Sequence, residues 1–371
     1  MSTIQSVQEI QDAARGAVFL GAGGGGDPYV GELFLRNQLA KGHAATIVAP
    51  DDLEDDAFVL SIAGVGAPTV LVEHLVSTRT LRTLLEASQE HYGRKVDALI
   101  SAEIGGANSM FPLALGALAS LPVVDGDGIG RAFPSLEMTT FSIYGLAATP
   151  SVLVDDSGNS VIVHTKSNRI AENVIRNVAV SLGATIYGSF YPMSGLDAKR
   201  FAVAGTLTQT LEIGRAIREC RERCSDPVEG LLQALRDPKG IRHCRLLFDG
   251  KITDVVHETR GGWHFGQATL ESTRSGGSGA ASSQLVIDIQ NEYLVARRDG
   301  RTVAIVPDLI SVLDRESAEP LTAEMLRYGQ RVAVVGYSAP PELRRPESLA
   351  VCGPRQFGLK EDFVALEDIL E

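Results

Sequence analysis

Short, almost wholly apolar segments that alternate with helical patterns, and that run into glycine, limit the first part of this chain to very few folds. The segments 17–20, 45–48, 58–62, 98–101 and 121–124 read as strands. Helical spacing falls between them at 30–40, 69–92 and 107–118. Such alternation implies a mostly parallel sheet covered by helices on both faces, which is why its strands have no polar side. Ligands of this architecture gather at the carboxyl ends of strands.

Those ends carry the unusual residues. The first is Gly21-Ala-Gly-Gly-Gly-Gly26-Asp27-Pro28, then Ala63-Gly-Val-Gly66, Ala102-Glu-Ile-Gly-Gly-Ala-Asn108-Ser109, and Asp125-Gly-Asp127-Gly-Ile-Gly-Arg131. Glycine allows positive φ and close approach of a ligand, and a helix start offers free N–H donors. The reading therefore expects one site on one rim. Gly23, Gly24, Gly25, Gly26, Asp27, Asn108, Ser109 and Arg131 are its candidate binding residues, and Glu103, Asp127 and Asp125 its candidate acids or bases. Asp125 and Asp127, with Glu103, are also the candidate ligands of a divalent cation. Arg131 has a second reading, as a partner for Asp127, and Asn108 or Ser109 as a helix cap.

Gly21, Gly23 and Gly26 fit G-x-G-x-x-G, and Asp51 or Asp52 sits where a ribose-binding acid belongs. Asp27 weighs against NAD(P), since it would meet a pyrophosphate with like charge. Histidines are weaker candidates: His74 within a helical pattern, His164 at a strand end, His257 and His264 further on. Cys220, Cys224, Cys244 and Cys352 lack paired zinc spacing and read as reduced thiols. With no Gly-x-Ser-x-Gly elbow, water activated by a carboxylate or metal is favoured over covalent catalysis.

Past residue 150 the pattern changes. Segments 151–154 and 161–164 read as a hairpin, and 170–182 and 207–223 as helices around a strand at 184–191. From 242 onward, strands at 244–248, 251–257, 263–270, 284–289, 293–297, 302–306, 309–313 and 331–335 suggest an antiparallel barrel or sandwich. The expected fold is thus an N-terminal three-layer α/β/α domain with a mostly parallel sheet, residues 1–166, and a C-terminal β-rich, barrel-like domain, residues 167–371.

A net charge of -12 argues against nucleic acid or an anionic membrane as partner. No apolar run spans a bilayer, and the first residues show neither a basic nor an apolar leader region, so a cytoplasmic location is expected. Homo-oligomer formation is left open.

Leu20-Gly-Ala-Gly-Gly-Gly-Gly-Asp-Pro28, Glu103-Ile-Gly-Gly-Ala-Asn108 and Asp125-Gly-Asp-Gly-Ile-Gly-Arg-Ala-Phe-Pro134 together resemble the S-methyl-thiohydantoin desulfurase family. Val306-Pro-Asp-Leu-Ile310, Leu326-Arg-Tyr-Gly-Gln330 and Gly353-Pro-Arg-Gln-Phe-Gly358 extend the likeness over nearly the whole chain. The resemblance implies an α/β domain followed by a β-barrel-like one, and a hydantoinase/oxoprolinase protein as associate. It implies hydrolysis of a small cyclic imide or thiohydantoin. Water would add to the ring carbon between two nitrogens, with Glu103 or Asp127 as base and the N–H groups of Gly23 to Gly26 on the developing charge. Two alternatives stand beside it: a non-catalytic ligand-binding subunit of a hydantoinase-type system, and a nucleotide-binding enzyme.

Overall fold

A computed structural model of the chain describes residues 1–66, 77–236, 242–260, 263–273 and 283–369. The first sheet holds β1 (Ser2–Ile4), β2 (Ala45–Val48), β3 (Phe58–Gly66), β4 (Ala98–Ser101) and β5 (Val123–Asp127). To these it adds β6 (Ser151–Val154), β7 (Ser160–Val163), β8 (Thr185–Ser194) and β9 (Val203–Ala204). The order is β1-β2-β5-β4-β3-β8-β6-β7, with β9 on β5. Its centre, β2-β5-β4-β3, is parallel, and the remaining strands pair antiparallel. The sequence that continues past residue 166 thus completes the first sheet through β8.

Successive residues of the central strands point into two different cores. Leu60, Ile62, Leu99 and Val123 join Leu35, Leu84 and Leu113 from helices on one face. Val59, Ala63, Ala98, Ile100 and Val124 join Ala171, Ile175 and Ala179 from the Asn168–Ser181 helix on the other. Burial on both faces is what the uniformly apolar strand sequence requires.

One expected strand is a helix. Residues 17–20 close the helix Val7–Gly21, which begins with a reciprocal capping box between Ser6 and Glu9. Ala17, Phe19 and Leu20 are fully buried there. Gly16 and Gly214 let this helix lie directly on the Thr206–Arg223 helix. A Cβ on Gly16 would sit 1.9 Å from the Thr210 carbonyl oxygen, and one on Gly214 1.8 Å from that of Asp12. A helix covered on all sides loses its polar stripe, so a four-residue apolar window cannot distinguish it from a buried strand.

The second sheet is wholly antiparallel. It comprises β10 (Cys244–Arg260), β11 (Trp263–Ser272), β12 (Gln284–Gln290), β13 (Glu292–Arg298), β14 (Arg301–Ile305), β15 (Leu309–Asp314), β16 (Pro320–Leu321) and β17 (Arg331–Tyr337). Their order is β14-β13-β12-β11-β10-β17-β15-β16. The strands read at 244–248 and 251–257 are one bent strand, with register shifts between Leu246 and Phe248 and between Ile252 and Asp254.

The two sheets meet along the glycine run. Tyr293 N–H donates to the Ala22 carbonyl at 2.8 Å, Ala323 N–H to the Gly23 carbonyl at 2.8 Å, and Ser311 Oγ to the Phe19 carbonyl at 2.6 Å. No helix among the described residues is long and apolar enough to cross a membrane.

Candidate functional site

Three strand ends and the end of the Val7–Gly21 helix open onto one pocket. Gly24 to Gly26, Ala63 to Gly66, Ala102, Glu103, Asn108 and Ile129 line one side of it. Thr259, His264, Asn291, Glu292 and Glu324, from the second half of the chain, line the other. Its volume of about 130 Å³ is many times what a single water needs.

Glu103 follows β4 at the pocket wall and is 8% exposed. Its Oε1 accepts from Asn108 Nδ2 at 2.6 Å and its Oε2 from Phe133 N–H at 3.0 Å. Asn108 lies in the first turn of the Ala107–Ala119 helix, and its Oδ1 accepts from Gly64 N–H at 2.8 Å. One amide therefore ties the ends of β3 and β4 and fixes the carboxyl between them. Burial pushes the Glu103 carboxyl up to about 7, helped by nearby Asp127 and opposed by the Asn108 and Phe133 hydrogen bonds.

The pair Asp125 and Asp127 is not part of the wall. Asp127 is fully buried, and its Oδ2 accepts from the N–H groups of Ile104 at 2.9 Å, Ile129 at 2.9 Å and Gly130 at 2.7 Å. It joins the loops after β4 and β5, with burial raising its carboxyl to about 7 against those bonds. Asp125 turns to the Thr206–Arg223 helix. It accepts from Thr208 N–H at 3.0 Å and from Thr208 Oγ1 at 2.5 Å. Alternate residues of a strand share a face, but this face lies under the Thr206–Arg223 helix rather than over the pocket. Among the described residues, no group of three or more His, Cys, Asp or Glu is placed to hold a metal ion, so Asp125, Asp127 and Glu103 do not form the expected set.

Arg131 is also off the wall. Fully buried, it donates to the carbonyls of Ala132 at 3.1 Å, Pro307 at 2.8 Å and Asp308 at 3.1 Å, and lies over the Phe133 ring at 4.6 Å. It fastens the two halves together. Burial lowers its guanidinium to about 10, while Glu292, Asp308 and Glu103 support the charge.

Gly23 packs under the Tyr293 ring, Ser109 Oγ donates to the Gly106 carbonyl at 2.8 Å, and Asp27 accepts from Tyr29 N–H at 2.9 Å. None of the three lines the pocket. Asp51 and Asp52 are exposed in a 3-10 turn, and His164 is exposed beyond β7. His74 lies outside the described residues.

Two glycines have specific reasons. A Cβ on Gly24 would stand 2.3 Å from Glu292 Oε1, and one on Gly25, whose φ is +79°, 2.4 Å from the Gly105 carbonyl oxygen. The Gly25 and Gly26 N–H groups donate to no group among the described residues.

The second half of the chain adds acids that the sequence reading passed over. Glu292 starts β13 and is 2% exposed; burial, then nearby Glu103, holds its carboxyl well above the usual range. Glu324 is raised by burial too. Glu172 accepts from Leu136 N–H and pairs with Arg176, which lies over the Trp263 ring at 4.1 Å. His264 faces His257 across 3.1 Å, and burial and that neighbour lower its imidazole. A signal for Glu292 was present: it is the one charged residue opening a run, Tyr293-Leu-Val-Ala296, that is buried throughout.

No curated protein matches the chain. A crystal structure of a protein from Chromobacterium violaceum superposes with a TM-score of 0.81 at 22% identity, covering 99% of this chain and 100% of that one, a likeness of fold. The profile of the S-Me-THD-like N-terminal domain matches residues 8–165, and that of the C-terminal domain residues 166–366. The chain belongs to the S-Me-THD-like family.

Proposed function

We propose that the pocket hydrolyses a small cyclic imide or thiohydantoin-type ring, with an S-methyl thiohydantoin as reference substrate. The observation that carries this reading is Glu103. It is a buried carboxyl fixed by Asn108 and Phe133 N–H, poised near neutrality, on the wall of a ring-sized pocket. A base with such a proton affinity works best at neutral pH. Glu292, whose carboxyl burial and nearby Glu103 hold well above the usual range, is the complementary acid.

The ring carbon between the two nitrogens carries the S-methyl group. Ionised Glu103 takes a proton from water as the oxygen bonds to that carbon, while Glu292 gives its proton to the adjacent ring nitrogen. The tetrahedral intermediate then returns its hydroxyl proton to Glu292. As the carbonyl forms, the carbon–sulfur bond breaks, and methanethiol leaves with the proton held by Glu103. Both carboxyls end as they began. The N–H groups of Gly25 and Gly26, without an acceptor among the described residues, are available to charge that develops during addition, each worth about 3–4 kcal/mol in well-placed sites. Asp127 serves as a positioning residue, holding the loops that carry Glu103 and Phe133.

The test is thiol release from an S-methyl thiohydantoin by the full chain. Turnover by the native protein with a loss of about 100-fold or more in Glu103→Gln supports the reading. Full turnover by that variant removes Glu103 from the chemistry.

A further inference from the structure

The pocket wall is unbalanced in charge. Among its described residues it presents Glu103, Glu172, Glu292 and Glu324, against one guanidinium, that of Arg176. Arg176 is already paired with Glu172, donating to Glu172 Oε1 from Nε at 2.9 Å. Glu103 is likewise satisfied at both oxygens. Glu292 Oε2 and Glu324 Oε1 are different: both oxygens are buried, and neither has a hydrogen-bond partner among the described residues. Arg131 is near enough for its charge to act on Glu292, but its bonded donors go to backbone carbonyls, and its buried Nη2 has no hydrogen-bond partner among the described residues.

A buried carboxyl oxygen without a partner carries its full desolvation penalty, more so if ionised, so a ligand that supplies a donor there is favoured over one that does not. Two such oxygens from different segments suit a planar group with two N–H donors. Charge-assisted bonds to carboxylate are about twice as strong as neutral ones, which favours a group able to carry the proton itself.

We propose that the pocket recognises its ligand through a protonatable, planar N–C(X)–N edge set against Glu292 and Glu324. Cyclic guanidines, with X an amino group, are then a second ligand class beside S-methylated thiohydantoins. The inference rests on the pocket assigned above and names the feature its ligands share. A proton shared between Glu292 and the ligand nitrogen gives an amidinium set against a carboxylate. Hydantoin, with a carbonyl in place of X, has the same ring and N–H groups but no basic nitrogen.

Calorimetric titration of the full chain with 2-aminoimidazol-4-one and with hydantoin tests this directly. The expected result is binding of 2-aminoimidazol-4-one at least tenfold tighter than hydantoin. That preference falls at least fivefold in Glu292→Gln or Glu324→Gln and survives in Asp125→Asn, which lies off the pocket. A preference below tenfold in the native protein, or one kept by both glutamine variants, overturns the proposal. The native comparison needs no variant to fold, and the two glutamines are independent of each other. Thiol release distinguishes the two readings. Thiol turnover without a guanidine preference leaves the hydrolase and removes this inference. A preference without thiol turnover does the reverse.

Discussion

The two walls of the pocket are built on opposite terms. On the α/β side, Glu103 has both oxygens bonded and Asn108 spans two strand ends. On the β side, Glu292 is buried and Glu324 half-buried, each with a buried carboxyl oxygen that has no hydrogen-bond partner among the described residues. The first wall is finished by the protein itself, as a fixed catalytic group requires. On the proposal above, the second is completed by the ligand. Side chains that look alike in sequence therefore differ in what their removal should do.

The sharpest way to break this contrast is Glu103→Gln. It keeps the shape and the bond to Phe133 N–H but loses the one from Asn108, so thiol release should fall by about 100-fold or more with only a modest drop in melting temperature. A large melting shift with full activity would make Glu103 a structural group like Asp127. Gly25→Ala should come next in size. Its Cβ meets the Gly105 carbonyl at 2.4 Å at a φ of +79°, so thermal unfolding should show a loss of about 1–3 kcal/mol.

The pH dependence of stability sharpens the comparison further. Folding raises Glu103 from 4.5 to about 7 and Asp127 from 3.8 to about 7, so the native state holds protons that the unfolded chain has released. Stability contributed by the protonated forms is present below about pH 4 and is lost as pH rises toward 7. Melting temperature should decline over that window, and Asp127→Asn should flatten the decline without abolishing thiol release. Turnover should move the opposite way, rising through pH 7 as Glu103 ionises. The smallest effect is expected for Asp125→Ala. It removes acceptors of Thr208 at a helix start, for a loss of about 1 kcal/mol in chemical denaturation with turnover unchanged.

Much of this was legible in the chain itself. Apolar strands with glycine at their ends pointed to a buried sheet and to the rim that holds Gly24, Glu103 and Asn108. What period and punctuation could not show was which acids face the cavity. Asp125 and Asp127 stand two apart on a strand, a spacing that fixes a shared face but not what covers it; here the Thr206–Arg223 helix does. Glu292 lies far from Gly24 in sequence, and only tertiary packing brings it within reach of the glycine run. Residues 17–20 read as a strand because burial on every side removes the periodicity that identifies a helix.

The carbonyls of Ala22 and Gly23 are hydrogen-bonded by Tyr293 and Ala323, so the cavity is a joint property of both halves. Exchanging either half for that of a distant relative should succeed only when Gly24 and its counterpart at 292 travel as a matched pair. A chimera with a side chain at 24 and glutamate at 292 should assemble poorly, however well each half folds alone.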